Sequence, residues 1–313
     1  MKFGAVVLAL FGGASTCHAF APATRAPSST TALKIVPGDS ADVLARINAI
    51  LEEAAAPSVD PAFDQVVQSY FPGAIPNGAL VNACVDILRA KGYTQDNTLV
   101  ATSLCCDELA RRLEDDFVRI YGNNFSLGGL SGFPFAGNTG FGAMAAHIPD
   151  DGYCLAVYGP HVGIAKDGTV GKVERQGIAL IDTCCGSAVA ADRYLRGITD
   201  GGAVMVADVQ RFTDFQQGAV CQLILPHGKR LSDAENRMVE LPLALFDSQD
   251  VLMQDIVQAG CGGTKAGLAL LGGIQINTCP SVPDYFLPIR FDYMNNKGEI
   301  LESLLPALTD MTS

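Results

Sequence analysis

The stretch from Asn97 to Phe117, NTLVATSLCCDELARRLEDDF, constrains this chain more than any other. Thr98 to Leu104 is apolar enough to be buried on both faces, as strands of a parallel sheet are. It passes straight into a helix over about Cys106 to Ile120, whose Leu109, Leu113, Phe117 and Ile120 share one face. A buried strand feeding a helix is the unit of α/β folds, and in open α/β sheets ligands bind beyond the carboxyl ends of the strands. That end holds two adjacent cysteines, Cys105 and Cys106, followed by Asp107. Gly177 to Leu195, GIALIDTCCGSAVAADRYL, repeats the form with Cys184 and Cys185. Two cysteine-bearing strand ends are therefore expected at one edge of a sheet.

The surrounding chain supports an α/β domain behind a helical N-terminal region. Helices are expected over Ser40 to Ala55, over Pro61 to Tyr70, and from Asn77 through GALVNACVDILRAKG, whose last turn carries Arg89 and Lys91 before Gly92. The Gly-rich run Asn123 to Gly142 lacks both P-loop and GxGxxG spacing, which excludes a nucleotide phosphate site of those types, and reads as an ordered loop. Tyr153 to Ile164 reads as a strand broken at Gly159-Pro160, immediately before His161. Beyond it the pattern suggests a strand at Ala203 to Ala207, a helix at Asp208 to Gln217 and a strand at Ala219 to Leu225. Helices at Ser232 to Leu245 and Ser248 to Ala259 come next. The strands LALLGGIQINT and IRFDYMN and a short helix in GEILESLLPAL close the chain. The domain spans 39–313, with N-terminal helices over 40–92 and the α/β core over 93–313.

Composition narrows the function. With 49% hydrophobic residues the chain can bury a large core, and a net charge of −12 argues against nucleic-acid binding and against adsorption to anionic membranes. A small or neutral substrate suits it better. Residues 1–38 contain no Asp or Glu. Lys2, the apolar run Phe3 to Phe11 and the small residues up to Ala19 form a signal-peptide pattern, too short for a membrane anchor. Residues 20–38 are rich in hydroxyls and Ala, as transit peptides are. Together they resemble the bipartite presequences of algal secondary plastids; plain secretion is the alternative. Ten cysteines in adjacent pairs and scattered apolar segments suit ligands and buried thiols better than a disulfide ladder.

A cysteine at a helix N-terminus has its thiolate stabilised by the helix dipole. One cysteine from each pair, with His161, would make a Cys2His set, a catalytic zinc combination that leaves a fourth position for water. His147 would either close that position or shuttle protons beside it. Asp107 and Arg111, four residues apart, share a helix face. They would form a dyad beside the metal, or an ordinary surface pair contributing a few tenths of a kcal/mol.

The segments SLCCDELAR, GGLSGFPFAGNTGFGAMAAHIPDDG, PHVGIAKDGTVGKVER, TCCG and LLGGIQINT resemble the limiting-CO2-inducible B/C proteins of algae, whose diatom members include theta-class carbonic anhydrases. The resemblance covers roughly residues 40–305. It implies a sheet with flanking helices like that of beta carbonic anhydrases, a zinc held by Cys105, His161 and Cys185, and the Asp107/Arg111 dyad. Cys105 stands to Asp107 as the first ligand does in the beta-class Cys-x-Asp-x-Arg motif, although the arginine falls at 111 rather than 109, and Cys185-Gly186 matches the family's Cys-Gly. The implied activity is interconversion of CO2 and bicarbonate by attack of zinc-bound hydroxide, in a plastid CO2-concentrating mechanism, by a homodimer or homologous heteromer. Two thiolates and a neutral imidazole leave the zinc site formally neutral, so activity should favour alkaline pH. Phe133, Phe135 and Leu130 would wall the CO2 side. A non-catalytic zinc-binding scaffold of the same machinery is the alternative. A thiol redox protein is less supported, because no Cys-x-x-Cys occurs.

Overall fold

Alternation along three parallel strands sets the architecture. In the computed structural model, which describes residues 58–199 and 212–312, Val100, Leu155, Val157, Ala269 and Leu271 point into one apolar cluster. Their neighbours Leu99, Ala101, Ala156, Leu268 and Leu270 point into a second. Successive side chains of a strand face opposite ways, so a sheet built from continuous apolar runs must be covered on both faces.

The described chain begins with helix α1 (Pro61–Tyr70), strand β1 (Ile75–Pro76) and helix α2 (Asn77–Arg89). Strand β2 (Thr98–Ser103) is followed by a 3-10 turn at Glu108–Ala110, helix α3 (Arg111–Tyr121), β3 (Asn124–Ser126) and α4 (Gly137–Ala145). Next come β4 (Tyr153–Tyr158), β5 (His161–Gly163), β6 (Lys172–Val173), β7 (Asp182–Thr183) and α5 (Gly186–Thr199). The remainder is α6 (Phe215–Leu223), α7 (Gly228–Asp233), α8 (Arg237–Gly260), β8 (Gly267–Asn277), β9 (Tyr285–Met294), β10 (Ile300–Ser303) and α9 (Leu305–Thr312). Residues from 56 onward form one unit. No helix among the described residues is long and apolar enough to cross a membrane.

The main sheet runs β1-β9-β8-β4-β2-β3, with β10 on β9 and β5 on β8. Strands β3, β2, β4 and β8 are mutually parallel, and β9 turns antiparallel to β8. Residues of α2, α3, α5 and α9 fill the first cluster; those of α1, α4 and most of α8 fill the second. The sheet is thus a middle layer, and its carboxyl edge stays open where β2, β4 and β8 end.

The break expected at Gly159-Pro160 is present, and it preserves register: Tyr158 pairs with Gly272 and His161 with Gln275, the same offset on both sides. A Cβ on Gly159 would lie 1.8 Å from the Gly273 carbonyl oxygen, so only glycine lets the backbone pass. Gly159→Ala is expected to cost about 1–3 kcal/mol of stability, the usual cost of forced overpacking. A chemical-denaturation midpoint checks it; an unchanged midpoint would mean that the break is not so tightly packed.

Several sequence readings need correction. Ala219 to Leu225 is not a strand: α6 occupies it, with Val220, Cys221 and Ile224 buried at helical spacing, a short apolar run being ambiguous in period. The Gly-rich segment is only partly loop, since α4 lies within it and buries Phe141, Met144 and Ala145. The two helices over 232–259 are instead short α7 and one 24-residue helix α8, which continues through Pro242. GEILESLLPAL divides into edge strand β10 and helix α9. The second cysteine junction is not a strand of the main sheet. There β7 pairs only with β6 as a separate two-stranded ribbon, and Ile178, Leu180 and Ile181, which made the segment look buried, are exposed. The helix expected over 40–55 and the strand over 203–207 lie outside the described residues.

Candidate metal centre

Three elements of the fold converge on one sulfur-nitrogen-sulfur cluster. Cys105 lies two residues beyond the carboxyl end of β2, and His161 opens β5 after the Gly-Pro break. Cys185 immediately precedes α5. All three are buried, and their ligand atoms lie within 4.8 Å of one another. The two sulfurs are 4.0 Å apart. Two thiolates on one tetrahedral zinc, each at about 2.3 Å, stand roughly 3.8 Å apart, so the spacing fits that ion. The His161 ring supplies a further mark: Nδ1 is 2.8 Å from Asn277 Oδ1, whereas Nε2 is buried with no hydrogen-bond partner. An orphaned buried nitrogen beside two thiols is what a metal ligand looks like before the metal is counted.

The three groups are strongly coupled electrostatically. A hydrogen bond between the two thiols holds Cys185 well below the usual thiol range and pushes Cys105 up. The backbone N–H of Ala188, in the first turn of α5, also favours the Cys185 thiolate, the helix-terminus effect anticipated from sequence. Burial alone would lower the His161 pKa, but the sulfurs of Cys184 and Cys185 raise it well above the usual imidazole value. A divalent cation would replace these shared protons. A second grouping, Asp107, His161 and Cys184, is equally compact. Its Cys184 Sγ lies 3.4 Å from Nδ1, the nitrogen already engaged by Asn277, so the trio at Nε2 is the better metal site.

The pairing expected between Asp107 and Arg111 is not what forms. Asp107 is gripped by Arg175, with Nη1 donating to Oδ1 at 3.1 Å and Nη2 to Oδ2 at 2.9 Å. Arg111 turns away: Nη1 donates to Glu114 at 2.6 Å and Nη2 to the carbonyl of Cys105 at 2.7 Å. The physical reason is that Asp107 caps the 3-10 turn, accepting from Leu109 N at 3.0 Å, before α3 begins. The two residues therefore do not share an α-helical face. Although burial would raise its pKa, Arg175 brings Asp107 down to about 2. Asp107, Arg175, Cys105, Cys185, Cys106 and Leu130 line a cleft of 270 Å³.

The other expected site residues separate. His147 does not join the cluster. It is exposed just beyond α4, with Nδ1 2.9 Å from the Ala143 carbonyl and its ring 5.6 Å from that of Phe125. Leu130 lines the cleft, Phe133 is buried in the core, and Phe135 packs at 6.3 Å on Phe215. Sequence reasoning missed Arg175 and Asn277. Arg175 sits in the connection between β6 and β7, between His161 and Cys185 in sequence, a position whose only signal is that location.

A family model described as limiting CO2-inducible proteins B/C beta carbonic anhydrases matches residues 74–295. The crystal structure of PtLCIB4, a homolog of the limiting CO2-inducible protein LCIB, aligns with TM-score 0.72 and 42% identity over 76% of this chain and 98% of that one. The crystal structure of LCIB itself aligns with TM-score 0.57 and 19% identity over 75% and 96% of the two chains, a likeness of fold. Among curated proteins none matches. The matched span runs from just before β1 to the end of β9 and contains the whole cysteine-histidine cluster, so the chain belongs to the family of limiting CO2-inducible B/C proteins and beta carbonic anhydrases.

Proposed function

We propose that this chain is a zinc carbonic anhydrase that interconverts CO2 and bicarbonate within a plastid CO2-concentrating mechanism, as a homodimer or homologous heteromer. The observation that carries the reading is the buried cluster of Cys105, His161 and Cys185, whose ligand atoms lie within 4.8 Å of one another and whose imidazole keeps an unpartnered Nε2, beside a cleft that holds the Asp107–Arg175 pair. Zinc held there would act as a Lewis acid that lowers the pKa of a water and so makes it nucleophilic.

The chain's own residues supply orientation. Asp107 Oδ1 accepts from Arg175 Nη1 and from Leu109 N, and Oδ2 accepts from Arg175 Nη2. A carboxylate oxygen has two lone pairs, so Oδ2 retains one for the hydrogen of the nucleophilic water. That bond would fix the water and turn its reactive lone pair toward CO2. Leu130 offers an apolar wall for the apolar substrate. Arg111 holds the Cys105 carbonyl and so positions the first ligand's backbone.

The pH dependence has a sign. The carboxyl of Asp107 is lowered from 3.8 to about 2, so its favourable pairing with Arg175 is fully present above pH ~4 and is lost as pH falls toward 2. Asp107 therefore adds no acid limb between pH 4 and 7. With a formally neutral donor set, the rate should rise toward alkaline pH on the ionisation of water alone. A pH–rate profile of CO2 hydration with an inflection near pH 4 to 5 would contradict this assignment. The activity itself is tested by oxygen-18 exchange between CO2 and water: catalysis well above the buffer rate is expected, and exchange at the buffer rate would refute it.

A further inference from the structure

Behind His161 lies a buried polar chain that the proposed reaction does not use. Asn277, the last residue of β8, places Oδ1 2.8 Å from His161 Nδ1. Its Nδ2 is 3.3 Å from the Leu109 carbonyl and 3.1 Å from Asp284 Oδ2. Asp284 Oδ1 in turn accepts from Thr278 N at 2.8 Å, Thr278 Oγ1 at 3.2 Å and Arg112 Nη1 at 3.0 Å. Asn277 and Asp284 are both buried, and Arg112 reaches Asp284 from α3.

The donors and acceptors in this chain allow only one arrangement. Apart from Asn277, the Thr278 backbone N–H and the Arg112 guanidinium both donate to Asp284, as suits an ionised carboxylate. The Leu109 carbonyl is likewise an acceptor only. The amide nitrogen of Asn277 must therefore face both, which leaves its oxygen toward the imidazole. That oxygen can only accept, so Nδ1 must carry the hydrogen and Nε2 must present its lone pair to Cys105 and Cys185.

We infer that Asn277 and Asp284 are positioning residues that set the tautomer and ring orientation of His161 for metal binding, with Arg112 as the counter-charge of Asp284. The inference rests on the zinc reading above. Partners one bond removed from a metal typically govern affinity by roughly 10–100-fold. Asp284→Asn removes the negative charge and turns one of the two acceptor oxygens into a donor, so the amide of Asn277 is held only by the Leu109 carbonyl and a neutral partner and its N–H can turn against Nδ1. Asn277→Leu removes the acceptor altogether.

The test is zinc affinity by competition with a chromophoric chelator, together with proton–nitrogen NMR of imidazole groups in zinc-loaded protein. Wild type should show an exchange-protected N–H on the Nδ1 of His161. Asp284→Asn and Asn277→Leu should bind zinc roughly 10–100-fold more weakly, and the Nδ1 proton should lose its protection. Arg112→Gln, at a half-exposed residue expected to fold normally, should weaken zinc in the same direction by a smaller factor. Zinc affinity unchanged in folded Asp284→Asn or Arg112→Gln protein would overturn the inference, as would wild-type His161 protonated at Nε2 in the loaded state. The first result would leave the zinc site standing; the second would move the metal from Nε2 to the other ring nitrogen. Wild type that binds no zinc would overturn both readings.

Discussion

Replacing Asp107 by Asn is expected to lower the rate of CO2 hydration by roughly 10²–10⁴-fold, the range supplied by a positioned acid–base partner. Zinc content should stay unchanged. The amide keeps the size of the side chain but turns one acceptor into a donor, so the hydrogen bond that orients the nucleophilic water is replaced by a repulsive contact. Arg175→Met should act nearly as strongly, because Arg175 is the side chain that grips Asp107, at 3.1 and 2.9 Å. Arg111→Met should cost less, since Arg111 reaches the site only through the Cys105 carbonyl. Steady-state hydration kinetics of the three variants decide between the pairs. A larger loss at Arg111 than at Arg175 would restore the helix-face dyad expected from spacing.

His161→Ala and Cys185→Ser are expected to reduce bound zinc from about one per chain to near zero, because the ion would keep only two of its three protein ligands. Exchange activity should vanish with it. The metal-free variants should remain folded: Cys105 and Cys185 belong to the first apolar cluster, but most of that cluster and all of the second are built from other residues on either side of the sheet. Metal analysis beside circular dichroism separates these outcomes. Retention of a full equivalent of zinc in both variants would remove the site from where it is drawn.

How much of this was legible in sequence follows from locality. Cys105 and His161 stand where a buried strand ends, and the rule that ligands gather at carboxyl ends needs only the strands to be found. Cys185 was located by the helix that follows it, although the strand expected before it is only the β6–β7 ribbon. Which arginine meets Asp107 was not legible. The spacing to Arg111 assumed a continuous helix from Cys106, and the 3-10 turn at Glu108–Ala110 breaks that assumption. Arg175 arrives across a ribbon whose residues carry no period. Asn277 could not be singled out either, because its role depends on register: β5 pairs with β8 so that Gly163 sits opposite Asn277. The strand imagined over Ala219 to Leu225 failed for a related reason, since a seven-residue apolar run satisfies both periods until something packs against it.

The central claim is that Cys105, His161 and Cys185 hold a zinc ion that turns over CO2. Zinc content and oxygen-18 exchange measured on one preparation, before chelation, after chelation and after zinc is returned, test it most directly. The account expects about one zinc per chain, exchange that disappears with the metal, and recovery when the metal is restored. A full equivalent of zinc with exchange no faster than buffer would contradict it, and would leave a metal-binding scaffold in place of an enzyme.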